Sequence, residues 1–320
     1  MLSRSLLVMS GALAVPQTAL AQNLDLDETD LVVRHGQTVD AVINDQPVSF
    51  HIAPEAISIP TVNGDAAQRI KLKPSIIGYG YLVGPVTVNF GTDTVRYLQR
   101  GGTFRRRTAF SDQQVVEGAD AIAGPAAFPS RRTILTLRDP SPDDRALVFP
   151  MDRDMGRSQT GVMLDVDGHP VHVAFSFDRP ESLVSATGGR WIADAHGGSF
   201  ADGPRDTMVL YGVLRPARPL ALTRPLMLGE LEVRNVMVRI SDLGNAEGIA
   251  DSPPETAPAV DPDEIVVTAQ SKVKPRSQRM YVGMDTIGHC ASITYDFEAE
   301  TVTLMCPATP AMVTFPVPVS

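Results

Sequence analysis

Cysteine and tryptophan are scarce in this 320-residue chain, with two of the first and one of the second, and aromatic residues make up 6%. No run of lysine or arginine is long enough to follow a phosphate backbone, and the net charge is −9, so a nucleic-acid partner is not expected. After the N-terminus no stretch of about 18 apolar residues could cross a bilayer. No Gly-x-Ser-x-Gly elbow, His-Glu-x-x-His helix or glycine-rich phosphate loop occurs, so serine hydrolase, zincin and nucleotide chemistry lack a starting residue, and no cofactor is expected. What is abundant is proline, 26, and glycine, 25, against 43% hydrophobic residues. That balance excludes disorder throughout and predicts many turns and short strands around a sizeable core, a mostly β protein.

The N-terminus has Arg4, an apolar stretch from Leu6 to Val15, and Ala19-Leu20-Ala21, the small-x-small pattern that a signal peptidase cleaves. Residues 1–21 read as a bacterial signal peptide, with the mature chain starting at Gln22 and no cysteine there to carry a lipid. A periplasmic or secreted product would meet an oxidising compartment. Cys290 and Cys306 lie equidistant from Glu298, the polar centre of an alternating segment that reads as a hairpin, so a cross-strand disulfide is geometrically open to them, with two small buried thiols that never meet as the alternative.

The chain resembles itself at long offset. Asn44-Asp-Gln-Pro-Val48 matches Asp167-Gly-His-Pro-Val171, and each turn enters alternating apolar residues, Phe50 and Ile52 in one half, Val173, Phe175 and Phe177 in the other. Val88-Asn-Phe-Gly91 pairs with Met227-Leu-Gly229, and Ile122-Ala-Gly124 with Tyr281-Val-Gly283, each of these last two followed by a strand. The offset grows along the chain, so two homologous β lobes are expected, residues 22–157 and 158–320. The extra length falls in a Pro-rich loop over 243–279.

That order of turn, strand, loop, apolar pair with Gly, and terminal hairpin resembles the retropepsin-like and pepsin-like aspartic proteases. The resemblance implies two β lobes related by a pseudo-twofold axis, each contributing an Asp-Thr-Gly-Ala loop to one interlobe cleft. Counting from Val48 and Val171 puts Ala53 and Ser176 at the two expected Asp positions. A two-residue slip in the second half would instead select Asp178, with strand parity unchanged. In the family two adjacent carboxylates share one proton, the charged one activating water and the neutral one polarising the scissile carbonyl. Ala and Ser can do neither, so the first register implies a pseudoprotease that binds peptide or unfolded protein in the cleft without cutting it. Glu55 and Asp178, each two residues further on, offer a relocated acid pair and an active endopeptidase instead; the alternative is a pair of exposed loop acids. Asp285 resembles the acid that follows the family's apolar-apolar-Gly, with a structural role.

Inside the long loop, Asp263-Glu264-Ile265-Val266-Val267-Thr268-Ala269 resembles a TonB box. It implies strand addition to a TonB-like periplasmic protein, with an ordinary Val/Ile/Thr strand as the alternative. His169 and His172, three apart on a strand, face opposite ways and do not make a metal site. Gly188-Gly189 and Gly197-Gly198 around Trp191 and His196 read as a flexible flap, and Arg105-Arg106-Arg107 as a solvated loop face.

Overall fold

The computed structural model describes residues 29–76, 78–83, 85–152, 159–241, 246–251 and 278–308. The signal-peptide region and the 263–269 segment therefore lie outside the described residues, as does most of the Pro-rich loop. In the first half the order is β1 (Leu31–Arg34), β2 (Thr38–Ile43), β3 (Gln46–Ile52), β4 (Thr61–Val62), α1 (Gly64–Arg69), β5 (Tyr79–Val83), β6 (Val86–Gln99), β7 (Gly102–Phe110), β8 (Ala121–Ala123), β9 (Arg132–Thr136) and β10 (Asp144–Pro150). The second half continues with β11 (Val162–Val166), β12 (His169–Phe175), β13 (Ser182–Val184), α2 (Ala186–His196), β14 (Gly198–Phe200), β15 (Arg205–Leu210) and β16 (Val213–Leu222). It closes with β17 (Leu226–Leu228), β18 (Leu231–Val233), β19 (Val236–Arg239), β20 (Gln278–Val282), α3 (Met284–Ile287), β21 (Ser292–Asp296) and β22 (Thr301–Pro307).

The same pairings occur twice. A hairpin, β2–β3 or β11–β12, is closed by a two-residue turn with both φ positive, Asn44-Asp45 in one half and Asp167-Gly168 in the other. The second strand of each hairpin then runs parallel to a late strand, β3 beside β8 with Ile52 opposite Ala123, and β12 beside β20 with Phe175 opposite Val282. The short β4 and β13 lie antiparallel to those late strands and parallel to β7 and β19. Finally β6 and β16 pair antiparallel with β7 and β19, and each carries a hairpin partner, β5 or β15. These are two β lobes of one plan related by a pseudo-twofold axis, as the repeat predicts.

A five-stranded sheet, β1-β9-β21-β22-β10, joins the lobes. Its central pair is β9 of one lobe against β21 of the other, antiparallel, as a twofold axis between them requires. Period-two alternation places Val33, Leu135, Ile293, Val302 and Leu304 inside. The hairpin β21–β22 carries the Cys290–Cys306 disulfide, both sulfurs buried. It closes a loop of sequence separation 16, for which the lost chain entropy of the unfolded state corresponds to about 3 kcal/mol. Urea denaturation with and without a dithiol reductant should differ by about that amount. A difference below about 1 kcal/mol would mean that the sheet's own packing already holds this hairpin.

Four expectations are corrected. The middle match fails, because Val88–Gly91 lies in β6 whereas Met227 and Leu228 form the two-stranded β17–β18 hairpin; pairing makes β16 the partner of β6 in the repeat. Gly188-Gly189 is no flap but part of α2, where a Cβ on Gly189 would lie 2.4 Å from Val238 Cγ1, so glycine here permits close helix-on-sheet packing. Gly197 supplies the left-handed C-cap of the same helix, φ 66°, and Trp191 stacks on His169 with ring centroids 4.5 Å apart. Arg105–Arg107 lies within β7, and Arg106 turns inward to donate 2.7 Å hydrogen bonds to the Ser58 and Ala126 carbonyls. Gln278 and Arg279, assigned to the long loop, begin β20.

Candidate active site

Beyond β3 and β12 the chain continues for one residue in the ladder. Ala53 N–H donates to the Ala123 carbonyl at 3.0 Å, and Ser176 N–H to the Val282 carbonyl at 2.9 Å, so Ala53 and Ser176 occupy equivalent places. Each segment then turns into a loop that is pressed against the glycine of the apolar-apolar-Gly motif of its own lobe. A Cβ on Gly124 would lie 2.4 Å from the Ala56 carbonyl oxygen, and one on Gly283 2.5 Å from the Glu181 backbone. Only glycine allows that approach, which is the physical reason for the apolar-apolar-Gly pattern in both halves.

The acids come from the next positions. Glu55 is 3% exposed, and its Oε1 accepts a 2.5 Å hydrogen bond from Ser176 Oγ across the lobe interface. Ser176 Oγ also accepts the Asp178 backbone N–H at 3.3 Å, so one buried hydroxyl links the two acid-bearing loops. The Glu55 carbonyl accepts from Gln159 Nε2, while Oε2 has no partner among the described residues. Burial pushes the Glu55 carboxyl up from 4.5 to about 7, helped by the Asp178 charge and opposed by Arg179 and the Ser176 hydrogen bond.

Asp178 is shifted the other way. Burial raises it, but the hydrogen bond and charge of His51, with His35 and Arg179 behind, outweigh that and hold its carboxyl below the usual range. Its Oδ2 is 2.9 Å from His51 Nε2, and the side chain is 44% exposed. The site thus holds one acid that keeps its proton to near neutrality and one that is ionised well below it. Such an arrangement can take a proton from water and give one to a carbonyl oxygen within a single encounter.

Arg179, 7% exposed, ties the second loop to the hairpin above it by donating to the carbonyls of Met208 and Val209, and its guanidinium lies 4.7 Å from the Tyr281 ring centre. The β5–β6 and β15–β16 hairpins meet each other. Tyr81 and Phe90 pack edge-on against Tyr211, with centroids 5.5 and 5.2 Å apart, and Arg279 donates to the Tyr81 hydroxyl. These rings join Ala53, Ala56, Ile57 and Leu183 in one apolar cluster that spans both lobes. With the hairpins together Glu55 is covered, whereas Asp178 keeps an exposed edge.

No family model matches the chain, and no curated protein matches it in sequence. Solved structures are similar in part. Among them is the EIAV protease complexed with the inhibitor HBY-793, at 19% identity over 27% of this chain and 79% of that chain, with a TM-score of 0.19. An overlap of that size carries no conclusion about activity.

Of the residues singled out in the sequence, the structure brings together Glu55, Ser176 and Asp178 and places Ala53 in the apolar floor beside them. Asp285 stands apart in α3, its N–H bonded to the Pro180 carbonyl, with burial pushing its carboxyl up to about 6. His169 and His172 diverge as their spacing predicts, and His172 Nδ1 lies 2.5 Å from Asp152 Oδ2. Sequence reasoning missed His51, Gln159 and Arg179. The strand parity of β3 held the clue to the first, since His51 alternates with the core residues Phe50 and Ile52 and must leave the lobe. Nothing local marks the other two.

Proposed function

We propose that this chain is an exported peptide-bond hydrolase of the two-lobed aspartic-protease type, with Glu55 as the protonated acid and Asp178 as the ionised base of an unequal pair. The observation that carries the reading is the Ser176 hydroxyl, which donates to the Glu55 carboxyl and accepts the Asp178 backbone N–H, holding the two acid-bearing loops together while the surroundings of the two carboxyls drive their protonation apart. Two groups so separated are poised for complementary acid and base roles. Asp178 takes a proton from the attacking water, Glu55 donates one to the scissile carbonyl oxygen, and the tetrahedral species collapses with proton transfer to the leaving amine.

The predicted signal peptide and the buried disulfide support action outside the cytoplasm. The substrate is an extended segment that enters as the two hairpins separate, hydrogen-bonding along the strands that line the cleft. Turnover requires one proton on the pair, so activity should extend through the acid range and fall as Glu55 ionises near pH 7. Digestion of unfolded casein from about pH 3 to 8 tests this, with Asp178→Asn expected to lose activity by about a thousandfold. A folded wild-type protein that binds casein and never cuts it would establish the pseudoprotease reading instead.

A further inference from the structure

We propose that His51 is the positioning residue of this site, holding the Asp178 carboxylate across the lobe interface in the orientation and the ionised form that water activation needs; this rests on the acid-pair reading above.

The geometry singles out His51. It lies on β3, where Phe50 and Ile52 on either side point into the core of their own lobe and are buried. Its ring therefore leaves that lobe and meets the other one, with Nε2 2.9 Å from Asp178 Oδ2 and the partners 127 positions apart in sequence. Asp178 itself is on a loop beyond the end of β12, and its backbone is held by a 3.3 Å bond to Ser176 Oγ, which does not orient the carboxylate. An acid that is 44% exposed on such a loop has several rotamers open to it. A fixed imidazole selects one.

The charged and titratable groups that act on Asp178 come from three elements. His51 stands on β3, His35 on the turn between β1 and β2 with its ring edge-on to Phe177 at 5.5 Å, and Arg179 follows in the same loop. Glu55 stands in the other lobe's loop, where the Asp178 charge helps to keep its proton on. His35 and Arg179 act through charge, whereas His51 alone adds a directed hydrogen bond. The hydrogen bond to Asp178 also raises the His51 imidazole above its ordinary 6.5, against the opposing effect of burial, so the ring stays cationic through the acid range in which the pair would work. Lacking His51, Asp178 would keep its burial penalty and lose its largest compensation.

The test uses the mature full chain with ¹³C-labelled aspartate, titrating the Asp178 carboxyl by NMR in wild type, His51→Ala and His51→Gln, with casein hydrolysis followed in parallel. Asp178→Asn assigns the resonance. In His51→Ala the Asp178 midpoint should rise by about one pH unit or more, and the acid limb of kcat/KM should move by the same amount, with kcat reduced and KM little changed. His51→Gln, which retains a neutral donor, should fold like wild type and restore part of kcat without restoring the low midpoint. An unchanged Asp178 midpoint in both variants would overturn the proposal. A shifted midpoint with no hydrolysis by any chain would leave His51 as the holder of Asp178 and defeat the peptidase reading alone.

Discussion

Glu55→Gln is expected to abolish hydrolysis, by about a thousandfold or more, and at the same time to flatten the dependence of stability on pH. The amide keeps an oxygen that can accept from Ser176 Oγ, so the lobe contact survives while the proton does not. In the wild type, the folded state holds the Glu55 proton up to about 7, whereas an ordinary Glu releases it near 4.5. A group whose folded value is the higher one gives its full stability below the unfolded value and loses it as pH rises through the folded value. Wild type should therefore lose on the order of 3 kcal/mol between about pH 4.5 and 7 from this group, and the Gln variant should not. Urea denaturation at half-unit steps across that window measures both curves, and parallel curves would refute the assignment of a buried, proton-retaining Glu55.

Arg179→Met should have the largest effect on stability. The arginine is buried, donates to two carbonyls of β15 and lies over the Tyr281 ring, and its charge opposes the upward shift of Glu55. Methionine replaces the stem but leaves the carbonyls of Met208 and Val209 without these donors. Removing one member of such a buried charged network costs about 3–5 kcal/mol. Glu55 should then hold its proton to a pH above 7, because a lowering influence has gone. Amide exchange at Met208–Leu210 should accelerate as the β15–β16 hairpin loosens. A loss of less than about 1 kcal/mol, with exchange unchanged, would show that the hairpin is held by its tyrosine contacts instead.

The closed hairpins give those two predictions a common setting. Tyr81 from one lobe and Tyr211 from the other bury their rings together, next to the loop that carries Glu55. The same closure that shields the carboxyl from water raises it to about 7, so opening to admit a peptide also exposes Glu55 to solvent. On the proposed function, substrate would have to replace the apolar cover for the acid to keep its proton.

Much of the fold is legible in short segments. Asn44-Asp45 and Asp167-Gly168 are turn sequences because both positions need positive φ, and alternation in β3, β21 and β22 names the buried residues, whereas β12 is buried on both faces from Val171 to Phe175. The disulfide could be expected because one hairpin brings its cysteines together. Gly188-Gly189 misled, since glycine marks either flexibility or a tight contact, and only the neighbour, Val238, decides which. Arg106 misled in the same way, because its place inside a strand depends on a partner strand far along the chain.

By itself the sequence determined the two-lobed β plan, since turn chemistry, period-two burial and the close-approach glycines Gly124 and Gly283 act over a few residues and recur in both halves. Only the tertiary structure decided which acids meet. Parity says which face of a strand a side chain occupies, but not what lies opposite. The contacts that define the site, Ser176 with Glu55 and His51 with Asp178, link residues 121 and 127 positions apart and form only when the pseudo-twofold packing of the lobes brings two loops together.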